Sequence, residues 1–577
     1  MLAYRTPGVY FERPQARPAI RRLPTDVAGF VGIARSGPLH HPVRVTSWPE
    51  FVAVFGGHTV QGYLAYAVEG FFANGGRTCW VVRVADPAAA RAAGLDLAGA
   101  GGAPVGRLTA ASPGTWAREL TVTAVGTAPG RFTLIVRGAG GVRELWRELD
   151  LDPAGERWIG AVLNDRDTGS RLLRVCPAAA PAMGESALRV IEGRLGVARP
   201  SGGADGLATL TADHLAAAGS VFPFDDPCAG QARTGEPWGL AALERIDEVS
   251  VVAMPDAVPR LRVEVVTRER PRRCDVLPAD DGEPAPPPAA HLPDEEPPDR
   301  TPDRSAADVA RLQRELIAHC ERLRDRVALL DVPPAAAGGG DVPEQVLLWR
   351  RDFTSRWAAA YWPWLVVPEP LPTGELLTRL PPSGHVAGII ARSDLRAGVH
   401  KPPANERLEG VEDVAFALDD PAHGDLNEAG IDAVRPYPGR GIRVAGARTL
   451  DREPAQRYLN VRRLLIFIAE SIEEQVQWTV FEPHNRRLRQ QVDRVVRAFL
   501  LGLWRDGMLD GAKESEAFHV ACDETTNPPE EVETGRLICE IGVLPPWPAE
   551  FVVARIGISE GGVELIEDQA PGEGGRG

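Results

Sequence analysis

Residues 7–14 read PGVYFERP: a short apolar run, Val9, Tyr10 and Phe11, with a proline at either end. Valine and aromatic residues favour a strand, but a strand needs a partner. The next apolar run begins at Val27, beyond a stretch rich in arginine and proline. The other end repeats the pattern, because AEFVVARIGIS (549–559) follows the break PPWP (545–548). Proline fixes φ and removes the ladder donor, so both runs are cut off from their neighbours in sequence. Unpaired strand edges are a liability unless something covers them. Where the partners of these two strands lie is the question the two ends of the chain raise.

Between the ends the chain is long, 577 residues, which predicts more than one core. VAGFVGIA (27–34) and TCWVVRV (78–84) read as buried strands, PVRVTS (42–47) as an alternating one. WPEFVAVFGG (48–57) and YLAYAVEGFFANGG (63–76) are helical in period and end in glycines. The Ala/Gly-rich residues 88–106 read as a linker, and 107–200 as short strands separated by turns. A second α/β block follows. GLAALERIDEVSVVAMPD (239–256) reads as helix then strand, and AADVARLQRELIAHCERLRDRVALLDVP (306–333) reads the same way. The insert at 275–304 is acidic and proline-rich, and reads as a disordered surface loop. NVRRLLIFIAESIEEQVQW (460–478) and NRRLRQQVDRVVRAFLLGLWRDGML (485–509) are amphipathic helices, followed by strands at 517–524 and 536–546.

Chemistry is sparse. The only lysines are Lys401, followed by Pro402, and Lys513, followed by Glu514, so the phosphate-binding Gly-Lys-Ser/Thr motif is absent. GAGGAP (99–104) has no lysine and reads as flexible linker. Ser383, His385 and Asp394 lie close in sequence but without a nucleophile elbow, and read as a structural turn. His40–His41 and Asp280–Asp281 lack a second ligand pair and read as solvated loop. Cys522 and His519, three apart on a strand, fall on opposite faces. The seven cysteines form no CxxC pair. Cys79, Cys176, Cys228, Cys320, Cys522 and Cys539 read as small apolar core residues, Cys274 as exposed. No catalytic residue, cofactor site or metal site is expected. The net charge of −15 argues against wrapping nucleic acid. No apolar run spans a bilayer, and no signal peptide is evident.

Arginine outnumbers lysine 62 to 2, which suits planar contacts at interfaces and is equally what a biased genome composition produces. Arg486, Arg487, Arg489, Arg494 and Arg497 crowd one helix. They read either as a solvated face or as a surface for an acidic partner.

Five segments occur together and in order: TPGVYFER near the start, PPSGHVAGIIARSDLRAGVHKPPANE (381–406), LNEAGIDAVRPYPGRGIRVAGARTL (426–450), YLNVRRLLIFIAESI (458–472) and PAEFVVARI (548–556). Together they resemble the tail sheath proteins of contractile phage tails and related injection systems. The resemblance covers residues 1–85, 239–256 and most of 310–560, and is weak over 90–200 and 275–304. It implies a mixed α/β, multidomain (α+β) fold with an N-terminal donated-strand arm (1–22) and a middle α/β domain (23–88 with 201–425). An outer β-rich insertion (89–200), an inner C-terminal domain (426–545) and a C-terminal arm (546–577) complete it. It also implies strand donation between subunits, here through Tyr4, Val9, Tyr10, Phe11, Phe551, Val552, Val553 and Ile556. The implied function is non-enzymatic. Stacked hexameric rings surround an inner tube and contract without nucleotide hydrolysis, with baseplate and cap proteins as further partners, and with no nucleic acid and no direct membrane insertion. Assembly in a bacterial cytoplasm into a phage tail or tail-like particle is the implied setting. The Arg-rich helix is the expected tube contact. The competing reading is a ligand- or cell-binding module that displays the β region 107–200.

Overall fold

A computed structural model describes residues 22–98, 104–128, 131–138, 141–150, 154–165, 168–175, 195–198, 202–216, 237–258, 260, 301–334, 343–371, 374–550, 554–559 and 562–567. These residues form two compact units. One runs through 22–397 and 403–471, and the other contains 398–402 and the chain from 472 onward.

The larger unit is built on one eight-stranded sheet. Its strands are β1 (Val27–Gly32), β2 (Val43–Val45), β3 (Thr78–Arg83), β4 (Val251–Ala253), β5 (Val327–Asp331), β6 (Ala358–Trp362), β7 (Ile431–Tyr437) and β8 (Gly441–Val444). The order is β8-β7-β6-β5-β4-β1-β3-β2. The six inner strands run parallel, and the two edge strands β2 and β8 run antiparallel to their neighbours. β1, β5 and β6 are buried along their whole length. Unbroken apolar runs with helices on both faces are what such a sheet requires.

Alternate residues feed two cores. Ala28 and Phe30 enter one, Val27 and Val31 the other. Helices α1 (Trp48–Phe55) and α2 (Leu64–Ala73) belong to the first face, and α3 (Ala306–Leu323) to the second. Ser305 starts α3 with a capping box: its side chain accepts from the Asp308 N–H, and the Asp308 carboxylate accepts from the Ser305 N–H.

The predicted turn around Ser383 is instead the start of a helix, α4 (Ser383–Ala397), which packs on α2. Gly384 and Gly388 lie one turn apart on the crossing. A Cβ on Gly384 would run into the Ala67 backbone, and one on Gly70 into the His385 ring. The GHVAG stretch therefore sets how closely the two helices approach.

The chain enters this unit through a clamp. Arg463 and Asp394, each 3% exposed, form a two-pronged ion pair at 2.6 and 2.9 Å. The Thr25 hydroxyl donates to the same carboxylate at 2.6 Å, and the Thr25 carbonyl accepts from Arg463 at 2.8 Å. The segment that precedes β1 is thus tied to α4 and to helix α5 (Leu459–Val476).

The described residues between 89 and 198 are rich in strands, but the linker reading of 88–106 fails. Strand Gly94–Ala98 lies within it, Pro104–Ala110 begins in it, and Leu173–Val175 joins them in a three-stranded sheet. Thr121–Ala128, Arg131–Gly138, Gly141–Asp150 and Leu195–Ala198 make a four-stranded antiparallel sheet. The shared core includes Phe132, Leu134, Leu149 and Leu173, with one short helix, Ile159–Asn164.

The expected domain boundary at 425/426 also moves. β7 and β8 belong to the main sheet, and the division between units falls at 471/472. A hydrophobic strand such as IDAVRPY reads the same in either domain, so its pattern could not place it.

The smaller unit holds helix α6 (Arg486–Arg505), with an amphipathic stripe of Leu488, Val492, Val496, Phe499, Leu500 and Leu503. Strands β9 (Phe518–Ala521) and β10 (Glu540–Val543) form a two-stranded antiparallel sheet. The C-terminal strand is not solitary: β11 (Ala554–Ser559) pairs with β12 (Gly562–Glu567) as a hairpin. Only two residues, Glu560 and Gly561, separate β11 from GVELIE, a short-range hairpin signal in the sequence. Outside the described residues lie Tyr4, Val9, Tyr10, Phe11, Phe551, Val552 and Val553. So do Cys176, Cys228, Cys274, Asp280–Asp281, residues 99–103 of the glycine run, and the insert from 275 to 300.

Candidate functional site: an open strand edge

The two-stranded sheet of the smaller unit is half covered. α6 packs on β9. Phe518 and Val520 point into that contact, and His519 points away. Across the ladder Val543 faces Phe518, and Ile541 faces Val520. These pairs share a face, yet Val520 is 3% exposed and Ile541 is 36% exposed. The helix shields the first strand and stops short of the second. Leu544 and Trp547, just beyond β10, are also exposed.

The two edges differ in the same sense. The Leu544 N–H donates to the Ala517 carbonyl, so 517/544 is a hydrogen-bonded pair. By antiparallel alternation 518/543 and 520/541 are non-hydrogen-bonded pairs, whose backbone groups point outward. On the β9 side the Val520 carbonyl is capped by the Arg497 guanidinium at 2.8 Å. On the β10 side no further strand lies among the described residues. Ile541 and Val543 therefore present backbone donors and acceptors along an open edge, beside uncovered apolar side chains. An isolated two-stranded sheet is marginal, and a third strand on this edge would complete both its ladder and its apolar face.

The five arginines of α6 divide. Arg497 pairs with Asp493 at 3.2 Å as well as capping β9, and Arg489 reaches Glu524 at 3.6 Å. Arg486, Arg487 and Arg494 are exposed. Asn485 caps the helix, its Oδ1 accepting from the Leu488 N–H at 3.0 Å. Arg486 and Arg487 nevertheless occupy the first turn, where the helix dipole disfavours cations by about 0.3–1 kcal/mol each. Just before them lies an apolar tip that the sequence reading missed: Trp478, Val480 and Phe481. Phe481 is fully exposed at φ 68°, a left-handed conformation rare for an aromatic residue. Three large apolar residues between two helices, the last of them two positions before Pro483, were the available signal.

The other singled-out residues are structural. The Ser383 hydroxyl donates to Asp331 at 2.6 Å, and Asp394 is held by Arg463 and Thr25. His385 is buried against Gly70, and burial lowers its pKa to about 4, so it stays neutral. The three do not form a relay. His40 is not in a solvated loop. It is buried, with its Nε2 at 2.7 Å from the Ala85 carbonyl, its Nδ1 accepting from the Gly239 N–H, and a pKa pushed down to about 3 by burial. Among the described residues no cluster of three His, Cys, Asp or Glu side chains could hold a metal ion, and no helix is long and apolar enough to cross a membrane.

Residues 301–450 match the phage tail sheath protein central domain, and residues 451–559 match the phage tail sheath C-terminal domain. Residues 301–559 thus carry the two domains of the tail sheath family. Two curated relatives agree. A tail sheath protein of Burkholderia phage BcepMu is 32% identical over 30% of this chain and 36% of its own length. One of Vibrio phage KVP40 is 27% identical over 30% of this chain and 26% of its own. The aligned stretches thus span about a quarter to a third of these relatives. The fold is similar to that of the anti-feeding prophage helical sheath in its contracted state, at 18% identity and a TM-score of 0.51, covering 97% of this chain and 100% of that one. The C-terminal domain match includes α6, β9, β10 and the open edge.

Proposed function

We propose that this chain is the sheath subunit of a contractile, phage tail-like injection particle. Copies assemble as stacked hexameric rings around an inner tube, between a baseplate and a terminal cap. Contraction from a metastable extended state drives the tube through a target membrane without nucleotide hydrolysis. The observation that carries this reading is the open β10 edge, with Ile541, Leu544 and Trp547 uncovered beside it. The donated strands are the segments around Tyr4, Val9, Tyr10 and Phe11, and around Phe551, Val552, Val553 and Ile556. Adding a strand to an open edge gives affinity through the backbone and selectivity through alternate side chains. Head-to-tail contacts of this kind propagate instead of closing.

The energetics are favourable. If contraction buries ~100 Å² more apolar surface per subunit, it gains ~2.5 kcal/mol per subunit at ~25 cal/mol per Å². Summed over a long helical assembly, this suffices for work without a fuel molecule. Exposed Arg486, Arg487 and Arg494, with the Trp478–Phe481 tip, face an acidic surface of the tube, while Arg489 and Arg497 hold the helix against its strand.

The test is negative-stain electron microscopy of the purified chain beside a deletion of residues 1–12. Striated hollow tubes from the full chain and single particles from the deletion support the reading. Dispersed monomers from both, even with tube and baseplate supplied, overturn it in favour of a binding module that displays residues 107–200. Co-assembly with tube protein tests the arginines: Glu at 486, 487 and 494 should abolish extended sheath on tubes and leave self-assembly intact.

A further inference from the structure

One pair of thiols lies just beyond the β9–β10 ladder, where its register, continued by one step, sets them opposite each other. The register runs Phe518 to Val543, His519 to Gly542, Val520 to Ile541 and Ala521 to Glu540. The next step sets Cys522 against Cys539. Five positions from the hydrogen-bonded pair 517/544, this is a non-hydrogen-bonded site. Cα atoms at such a site in a regular ladder are about 4.5 Å apart, within the roughly 4.4–6.8 Å window of a disulfide. Both thiols are free and in hydrogen-bonding reach of each other. Cys522 is buried and Cys539 is partly exposed, which departs from the all-core reading of the sequence.

The backbone around the pair is held. Ile538, next to Cys539, exchanges two hydrogen bonds with the Asn527 side chain, at 2.7 and 2.8 Å. The hydrogen bond from Cys539 lowers the Cys522 pKa, and Arg489 adds to this, against burial and the nearby Asp493 and Asp523. The two buried single thiols, Cys79 and Cys320, are pushed the other way by burial.

We propose that Cys522 and Cys539 are a redox pair that a peroxide oxidises to a cross-strand disulfide, closing residues 523–538 into a loop and locking the strand pair. The Cys522 thiolate attacks one peroxide oxygen. The O–O bond breaks, and the departing hydroxide takes a proton and leaves as water. The resulting sulfenic acid is attacked by the Cys539 sulfur. The S–O bond breaks, and hydroxide leaves with the Cys539 proton as a second water. Two thiols lose two electrons, and one peroxide becomes two waters. This step does not depend on the sheath reading.

The full chain, reduced and freed of reductant, is treated with hydrogen peroxide, alkylated, and mapped by mass spectrometry without reduction. The expected product is about 2 Da lighter, with the peptides carrying residues 522 and 539 joined, and with Cys79 and Cys320 still alkylatable after unfolding. Cys539→Ser should stop at a sulfenic acid on Cys522 that dimedone traps, and Cys522→Ser should slow oxidation of Cys539 at least tenfold. Recovery of both wild-type peptides unlinked, whether alkylated or over-oxidised, overturns the proposal. Equal reaction rates for the two variants also overturn it.

Discussion

The eight-stranded sheet and the two-stranded sheet are made from similar strand sequences and end in opposite conditions. VAGFVG at β1 is flanked by parallel neighbours on both sides and buried on both faces. EIGV at β10 has one neighbour and stands exposed at Glu540, Ile541 and Gly542. The first strand has every partner it needs inside its own chain. The second is an ordinary strand with no neighbour on its other side among the described residues. Strand donation between subunits, as proposed above, would need this division. On that proposal one unit would have to survive rearrangement of its surroundings, and the other would have to hold its edge available.

If the larger unit is self-sufficient, it should be breakable from within. The largest effect is expected at the clamp. Arg463→Ala leaves the Asp394 carboxylate buried without its cation, and unpairing a buried ion costs about 3–5 kcal/mol. Urea unfolding of the isolated subunit should show this loss, and Asp394→Ala should show a similar one. The double variant should be less destabilised than the sum of the two.

Asp331 sharpens the same point through pH. Burial pushes its carboxyl up to about 7 from an ordinary 3.8, against two hydrogen bonds from Ser383. Between those values the folded chain keeps a proton that the unfolded chain has released, so this group weakens the fold as pH rises from about 4 to about 7 and adds nothing further above that. Asp331→Asn removes the term. Relative to wild type it should gain about 2–4 kcal/mol between pH 4 and pH 8. A parallel pH dependence of the two proteins in denaturant titrations would refute the assignment.

How much of this was legible beforehand follows the same division. Period and composition located β1, β3, α2, α3, α5 and α6, because buried strands and amphipathic helices carry their partners' demands in their own spacing. The clamp was not legible, since nothing in the spacing of Thr25, Asp394 and Arg463 links residues hundreds of positions apart. Ser383, His385 and Asp394 read as structural and are so, but their spacing did not reveal that they sit on one helix in place of a turn and serve three different neighbours. At the open edge the sequence showed a strand, RLICEIGVLPP, but not which of its sides would lack a neighbour. That depends on where α6 ends over the sheet and on the reach of Arg497. Read singly, the cysteines concealed the pair, which appears only once the register is known.

A smaller effect is expected at the α2–α4 crossing. Gly388→Ala places a methyl against the Phe71 backbone carbonyl and the Asn74 side chain. Overpacking of this kind costs about 1–3 kcal/mol, and thermal unfolding of the subunit measures it. Arg497→Ala should cost the smaller unit about 1–2 kcal/mol, through the lost cap on the Val520 carbonyl and the lost Asp493 pair.

The smallest stability effect should accompany the largest loss of assembly. Ile541→Lys replaces a side chain that is already 36% exposed, so the isolated subunit should change by no more than about 0.5 kcal/mol. The same lysine on an edge strand is a device that blocks pairing with another chain. If the β10 edge takes a donated strand, the variant should remain folded, with a melting curve like that of wild type, and should fail to form tubes in electron micrographs. Thr121→Lys, on a strand of the 107–200 region, is the matched control and should leave tubes unaffected. Normal tubes from Ile541→Lys would mean that the open edge is not where subunits join. The exposed Ile541, Leu544 and Trp547 would then need another occupant.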